Sequence, residues 1–133
     1  MSKSYKKNNG TSGISIIITP IGYGHTTAGE QWQYLRLINQ LTRTPVIRIL
    51  AETSVGDKEN YQFIDHNQIK LILSSNDVQV YGVGIEIGKT QIQYPMSDFY
   101  LNIRVINQQN QVTYETNTIA KEGGSTFIRF DRK

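Results

Sequence analysis

The chain contains no cysteine, which excludes disulfide staples, thiolate metal sites and cysteine nucleophiles together. Uninterrupted aliphatic runs reach three residues, as at Ile16, Ile17 and Ile18, whereas a membrane-spanning helix needs about twenty apolar residues. No transmembrane segment is expected, and no leader with the basic and apolar blocks of a secretory signal is visible. The expected location is intracellular, or in a virion assembled inside a cell. Excess charge is also scarce in the body of the chain. Lys3, Lys6 and Lys7 stand among the first thirteen residues without an acid; taking these three from the fourteen basic residues leaves eleven, against eleven acidic ones. A neutral body lacks the broad basic face from which most affinity for nucleic acid comes.

Signatures of catalysis and cofactor binding are missing too. The glycines of the PIGYGHTTAG stretch fit neither GxxxxGK[ST] nor GxGxxG, so they read as a flexible loop. GxSxG, HExxH and the kinase set do not occur. His25 and His66 fall in turn segments, neither with a second ligand at helical or strand spacing, so no zinc site is expected. Asp57, Glu59 and Asp65 lack the spacing of a calcium loop. Glu86 lies among glycines on an apolar strand with no second carboxylate at a matched position, as a glycosidase pair would require. It is expected on the solvent side of its strand, opposite Gln91. The sequence therefore predicts a non-enzymatic protein with no catalytic residue, no metal and no cofactor.

What is present describes one folded unit. A length of 133 residues, 38% hydrophobic and 19% charged, suits a single domain with its own core. Ten asparagines and eleven glutamines give a surface of uncharged amides, which serve equally as solvated strand positions and as hydrogen-bonding groups for a partner. Residues 1–13 are polar, basic and glycine-punctuated, with Tyr5 as the one aromatic. Ordering them costs about 1 kcal/mol per residue, and little in the segment offsets that. They are predicted to form a flexible N-terminal arm, with 14–133 a single β-rich domain.

Within that domain Ile14, Ile16 and Ile18 alternate into a first strand ended by Pro20. Trp32, Leu35, Ile38 and Leu41 recur at helical spacing, and Thr27 with Glu30 forms a capping box, so 30–43 is the one predicted helix. Residues 46–51 read as a buried strand and 52–60 as a polar loop. Three hairpins follow from turn chemistry and cross-strand matching. Ser74 to Asp77 would set Leu71 against Val80. Gly88-Lys89 would set Ile85 against Ile92. Asn107 to Asn110 would set Val105 against Val112 and Ile103 against Tyr114. The apolar parity switches between Val80 and Val83, which implies a bulge or bend at Gly82 and Gly84. Gly123-Gly124 forms a last turn, before a strand with Ile128 and Phe130 inward. Seven or eight short strands and one helix near the N-terminus predict a mainly β fold: an antiparallel sandwich, jelly roll or barrel.

Aromatics make up 10% of the chain, and Tyr94, Phe99, Tyr100 and Tyr114 fall on adjacent predicted strands. With Lys89 and Arg104 nearby they suggest a stacking platform for single-stranded nucleic acid, assisted by Lys3, Tyr5, Lys6 and Lys7 on the arm. A ligand- or glycan-binding domain would draw on the same aromatics. Core packing explains them at least as well, since tyrosine is a good strand residue. The leading expectation is a structural subunit of a larger assembly, a viral or phage capsid or accessory virion protein. Its partners would be copies of itself or other subunits, with nucleic acid contacted through the arm. The alternative is a small β-barrel module that binds single-stranded nucleic acid.

Overall fold

The computed structural model describes residues 10–41, 47–89 and 98–130. Its elements are β1 (Thr11–Gly13), β2 (Ser15–Pro20), α1 (Ala28–Leu41), β3 (Ile47–Thr53), β4 (Gly56–Lys58), β5 (Tyr61–Ile64), β6 (Gln68–Ile72), β7 (Val78–Ile87), β8 (Asp98–Ile106), β9 (Val112–Lys121) and β10 (Ser125–Arg129). Two antiparallel sheets form a sandwich. Sheet A runs β1-β7-β3-β4, with β10 also on β7; sheet B runs β5-β6-β2-β8-β9. No helix among the described residues is long and apolar enough to cross a membrane.

Period-two alternation builds the core. On β8, Phe99, Leu101, Ile103 and Val105 are fully buried, while Asp98, Tyr100, Asn102, Arg104 and Ile106 face outward. Ile47, Ile49 and Ala51 of β3 and Val83, Ile85 and Ile87 of β7 meet them from sheet A in one continuous cluster. Each such aliphatic side chain contributes about 1.5–3 kcal/mol by leaving water. The helix adds Tyr34, Leu35 and Ile38 to the same cluster. Its start is the predicted capping box: Glu30 N–H donates to Thr27 Oγ1 at 3.1 Å, and Thr27 N–H to Glu30 Oε1 at 2.8 Å. Trp32 is buried as its spacing implied, and its Nε1 donates to the Gln68 carbonyl at 3.3 Å. The Leu41 side chain lies outside the described residues.

The parity switch on β7 is a β-bulge. Glu52 pairs with Gly82 and Thr53 with Val80, which leaves Tyr81 as the extra residue. The same point divides the opposite edge of β7 between β1, on Val78 to Val80, and β10, on Gly82 to Glu86.

Of the three expected hairpins the first does not close and the second finds its place on β7 already taken, while the last turn, for which no partner strand was assigned, connects the two sheets. Ser74 to Asp77 does not close a hairpin, because β6 belongs to sheet B and β7 to sheet A. Leu71 lies opposite Ile16 and Tyr61, and Val80 opposite Thr11 and Thr53. The hairpin at Gly88-Lys89 has no edge to occupy: Ile85 already lies between Ile49 of β3 and Thr126 of β10. Its expected second half, including Gln91, Ile92 and Tyr94, is outside the described residues. Gly123-Gly124 is a turn, but it carries the chain from β9 in sheet B to β10 on β7 in sheet A. Arches between sheets and hairpins within one sheet use the same turn residues and the same apolar parity, so pattern alone does not separate them.

The Asn107 hairpin is real, with its register displaced by two residues. Val105 faces Tyr114, and Ile103 faces Thr116. Gln111 is absorbed into the turn: Asn107 N–H donates to the Gln111 carbonyl at 3.0 Å, and Asn107 Oδ1 accepts from the Gln109 and Gln111 amides. The two-residue slip keeps Tyr114 and Thr116 on the expected face, but the register shift between Val105 and Ile106 sets Val112 opposite Ile106, on the outer face.

Two boundaries also move. Residues 52–60 are not one loop, since β3 continues to Thr53 and turns back as β4. The expected arm gives up its last residues to the fold, because Thr11 to Gly13 pair with Val80 to Val78 and Thr11 is buried. Residues 1–9 lie outside the described set. Side chains then stitch one flank of the sandwich. Thr11 Oγ1 donates to the Thr113 carbonyl at 3.1 Å, Thr113 Oγ1 to the Ser12 carbonyl at 2.6 Å, and Thr126 Oγ1 to the Ile119 carbonyl at 3.3 Å. On the other flank the Tyr61 hydroxyl of sheet B donates to the Ile47 carbonyl of sheet A.

Candidate binding surfaces

Because each strand buries one parity, the other parity writes the two outer faces. On sheet B the register sets these residues in rows. One row is Ile72, Ser15, Ile106 and Val112. The next is Gln62, Lys70, Ile17, Arg104 and Glu115. A third runs Ile64, Gln68, Thr19, Asn102 and Asn117, and a fourth holds Ile21, Tyr100 and Ile119. Tyr23 stacks on Tyr100 with ring centroids 4.5 Å apart and so extends the fourth row. Eight large hydrophobic side chains are exposed among the described residues, and five of them (Ile21, Tyr23, Ile72, Val112 and Ile119) belong to this face. Within it Thr19 Oγ1 and Arg104 Nε are shielded from solvent and have no hydrogen-bond partner among the described residues.

The predicted aromatic platform is not assembled by this geometry. Tyr100 and Arg104 do share the outer face of β8. Tyr114 faces the other way, opposite buried Val105, and stacks on the buried Phe130 ring at 4.3 Å. Phe99 is likewise fully buried. Lys89 is exposed just beyond the end of β7 in sheet A, with its stem beside Gly123. Lys3, Tyr5, Lys6, Lys7 and Tyr94 fall outside the described residues. β8 and β9 are adjacent as expected, but Tyr100 and Tyr114 stand at opposite parities in the observed and the expected register alike, so they face opposite sides of the sheet.

The outer face of sheet A is built differently. Its register gives a row of Arg48, Glu86 and Ser125, a row of Leu50, Gly84 and Phe127, and a row of Glu52, Gly82 and Arg129. The two glycines matter for close approach. A Cβ on Gly82 would sit 2.5 Å from the Ile128 carbonyl oxygen and 2.8 Å from the Phe127 ring, and one on Gly84 would sit 3.1 Å from that ring. Phe127 therefore lies over bare backbone, still 44% exposed, with the Arg129 guanidinium 5.3 Å from its centroid. Beside it opens a depression of about 280 Å³, lined by Arg48, Leu50, Glu59, Gly84, Glu86 and Phe127 among others. Arg48 ties two carboxylates together there, Glu59 at 3.1 Å and Glu86 at 3.5 Å. The hydrogen bond and charge of Glu59, with the charge of Glu86, raise the Arg48 pKa further above its ordinary value. Tyr61, at the flank, is pushed up by burial, an effect opposed by Arg48 and reinforced by Glu59.

Glu86 does face solvent, as its parity implied. Arg48 and Phe127 were not singled out from the sequence, and Glu59 was weighed only as a calcium-loop carboxylate. The available signal was Phe127 itself, an aromatic at outward parity between the inward Ile128 and the Gly123-Gly124 turn. No known protein family, curated protein or solved structure matches the chain.

Proposed function

We propose that the chain is a non-enzymatic structural subunit that associates with copies of itself through the outer face of sheet B, within a larger particle such as a virion shell or one of its accessory layers. The observation that carries this reading is the apolar content of that face, which holds five of the eight exposed large hydrophobic side chains. Ile17, Ile64 and Ile106, partly buried, add apolar surface to the same face. Folded monomers rarely expose apolar patches beyond a few hundred Å². The five strands hold 34 residues, which at about 3.3 Å per residue and about 4.8 Å between strands give this face roughly 540 Å², about two thirds of the roughly 800 Å² per partner of a standard stable interface.

The test is the size of the purified full-length chain by light scattering or sedimentation across a concentration series. Ile72→Lys combined with Ile119→Lys is compared with Ser125→Lys on sheet A. The wild-type chain and the Ser125 variant should associate. The double variant should remain monomeric, with a melting temperature close to wild type, since both positions are exposed. A wild-type chain that stays monomeric at every concentration, or a double variant that assembles normally, removes the reading.

A further inference from the structure

We propose that the depression on the outer face of sheet A binds a neutral saccharide of one or two rings, stacked on Phe127 and held by Arg48, Glu59 and Glu86. The site is independent of the sheet B interface and lies on the other side of the sandwich. Its layout follows from register. The apolar row Leu50, Gly84 and Phe127 runs directly beside the polar row Arg48, Glu86 and Ser125. A pyranose presents C–H groups on its faces and hydroxyls around its rim, so a ring laid on the first row carries its hydroxyls over the second. Gly84 supplies a floor without a side chain, and the exposed part of the Phe127 ring supplies the stacking surface.

The polar groups suit hydroxyls better than ions. Arg48 only donates and the two carboxylates only accept, while a sugar hydroxyl does both. The three side chains already hold one another through bonds of 3.1 and 3.5 Å, so a ligand need not order them separately. One guanidinium against two carboxylates leaves the rim net negative, which disfavours phosphates, nucleotides and acidic sugars. A cation would find the arginine already standing between the acids. The volume of about 280 Å³ sits at the lower end of small-molecule sites, roughly 300–1,000 Å³, and is small for a dinucleotide.

The experiment is a ¹H–¹⁵N NMR titration of the full chain with the methyl glycosides of glucose, galactose and N-acetylglucosamine, and with glucose 6-phosphate. At least one neutral glycoside should shift the amides of Gly84, Glu86, Thr126 and Phe127 while leaving Ile103 and Val105 of sheet B unmoved. A Kd of about 1 mM suits so shallow a site. Phe127→Ala should weaken binding about tenfold, the worth of one ring contact, and Phe127→Tyr should restore it. Phe127→Ala also uncovers Gly82, so Glu86→Gln, at an exposed position, serves as a second variant and should weaken binding about threefold. The proposal fails if no neutral glycoside shifts these amides at about ten times that Kd. It fails equally if the shifts survive both Phe127→Ala and Glu86→Gln, or if glucose 6-phosphate binds as tightly as the neutral sugars.

Discussion

The two outer faces of the sandwich enclose one core and solve the exposure problem in opposite ways. Sheet A pairs its charges. Arg48–Glu59, Arg48–Glu86 and Arg129–Glu52, at 3.1, 3.5 and 3.9 Å, lie on or beside it, and its two apolar groups flank a glycine. Sheet B holds the one other ion pair found among the described residues, Lys121–Asp98 at its corner, and exposes Ile21, Tyr23, Ile72, Val112 and Ile119 on its first and fourth rows. Exposed ion pairs are worth about 0–1 kcal/mol each, so the pairs on sheet A contribute less to stability than to holding side chains in place. The aliphatics on sheet B are unfavourable in a lone subunit. The lesson is that burial of one strand parity dictates the core and leaves the other parity free, and function is written in that freedom.

The largest effect that would break the comparison is at Gly82. If Phe127 lies on bare backbone, Gly82→Ala forces either the Ile128 carbonyl or the ring to move and should destabilise the fold by about 2–3 kcal/mol. The counterpart on sheet B is Asn117→Ala. It removes an exposed amide bonded to Asn102 at 2.9 Å and should cost no more than about 1 kcal/mol. Urea denaturation of both variants measures the difference. Equal effects would mean that Phe127 is not seated on the sheet.

The same contrast shows what was legible in the sequence. The core and the helix were readable, because parity and capping chemistry are local: Phe99 to Val105 alternate without interruption, and Thr27 and Glu30 are three residues apart. The bulge was readable for the same reason, as a break in alternation between Val80 and Val83. Strand partnership was legible only at the Asn107 turn, where β8 and β9 do pair. Leu73-to-Val78 and Lys121-to-Ser125 look like hairpins in one dimension, yet both cross between sheets, and the choice depends on which distant edge is free. The candidate sites inherit that blindness. Tyr100 and Tyr114 were grouped by proximity along the chain, while the row of Arg48, Glu86 and Ser125 joins three segments that register alone brings together. Ile17 and Phe127, apolar at outward parity, were the visible exceptions that pointed to the faces.

A smaller effect probes the flank where the charged cluster of sheet A meets an edge of sheet B. Tyr61 donates its hydroxyl to the Ile47 carbonyl, and its pKa is raised above the ordinary 10.0 mainly by burial. A pKa raised in the folded state means that the neutral hydroxyl favours folding. This contribution is fully present below about pH 10 and is lost as pH climbs from there through the raised value. Tyr61→Phe should therefore cost about 1 kcal/mol at neutral pH, the worth of the hydrogen bond, and show a shallower loss of melting temperature above pH 10. Arg48 opposes the shift, so Arg48→Ala should move the alkaline loss to still higher pH. Parallel alkaline slopes for wild type and Tyr61→Phe would show that this hydroxyl is not the titrating group.

The smallest effect is the sharpest, because the same substitution has opposite signs at two threonines. Thr19 stands at the outer parity of β2, opposite Asn102, with its hydroxyl oxygen shielded and unpartnered. Valine has nearly the same shape and the same preference for strands. Thr19→Val removes a polar group that has lost water without gaining a bond, so the isolated subunit should gain about 0.5 kcal/mol. The control is Thr113→Val on the stitched flank, where the hydroxyl is 2.6 Å from the Ser12 carbonyl and 3.3 Å from that of Val105; it should lose about 1 kcal/mol. The oxygen is already shielded from solvent, so a second copy that covers sheet B does not reach it, and Thr19→Val should leave self-association unchanged while raising the melting temperature of the dilute chain. A dilute chain destabilised by Thr19→Val would show that the hydroxyl is already satisfied.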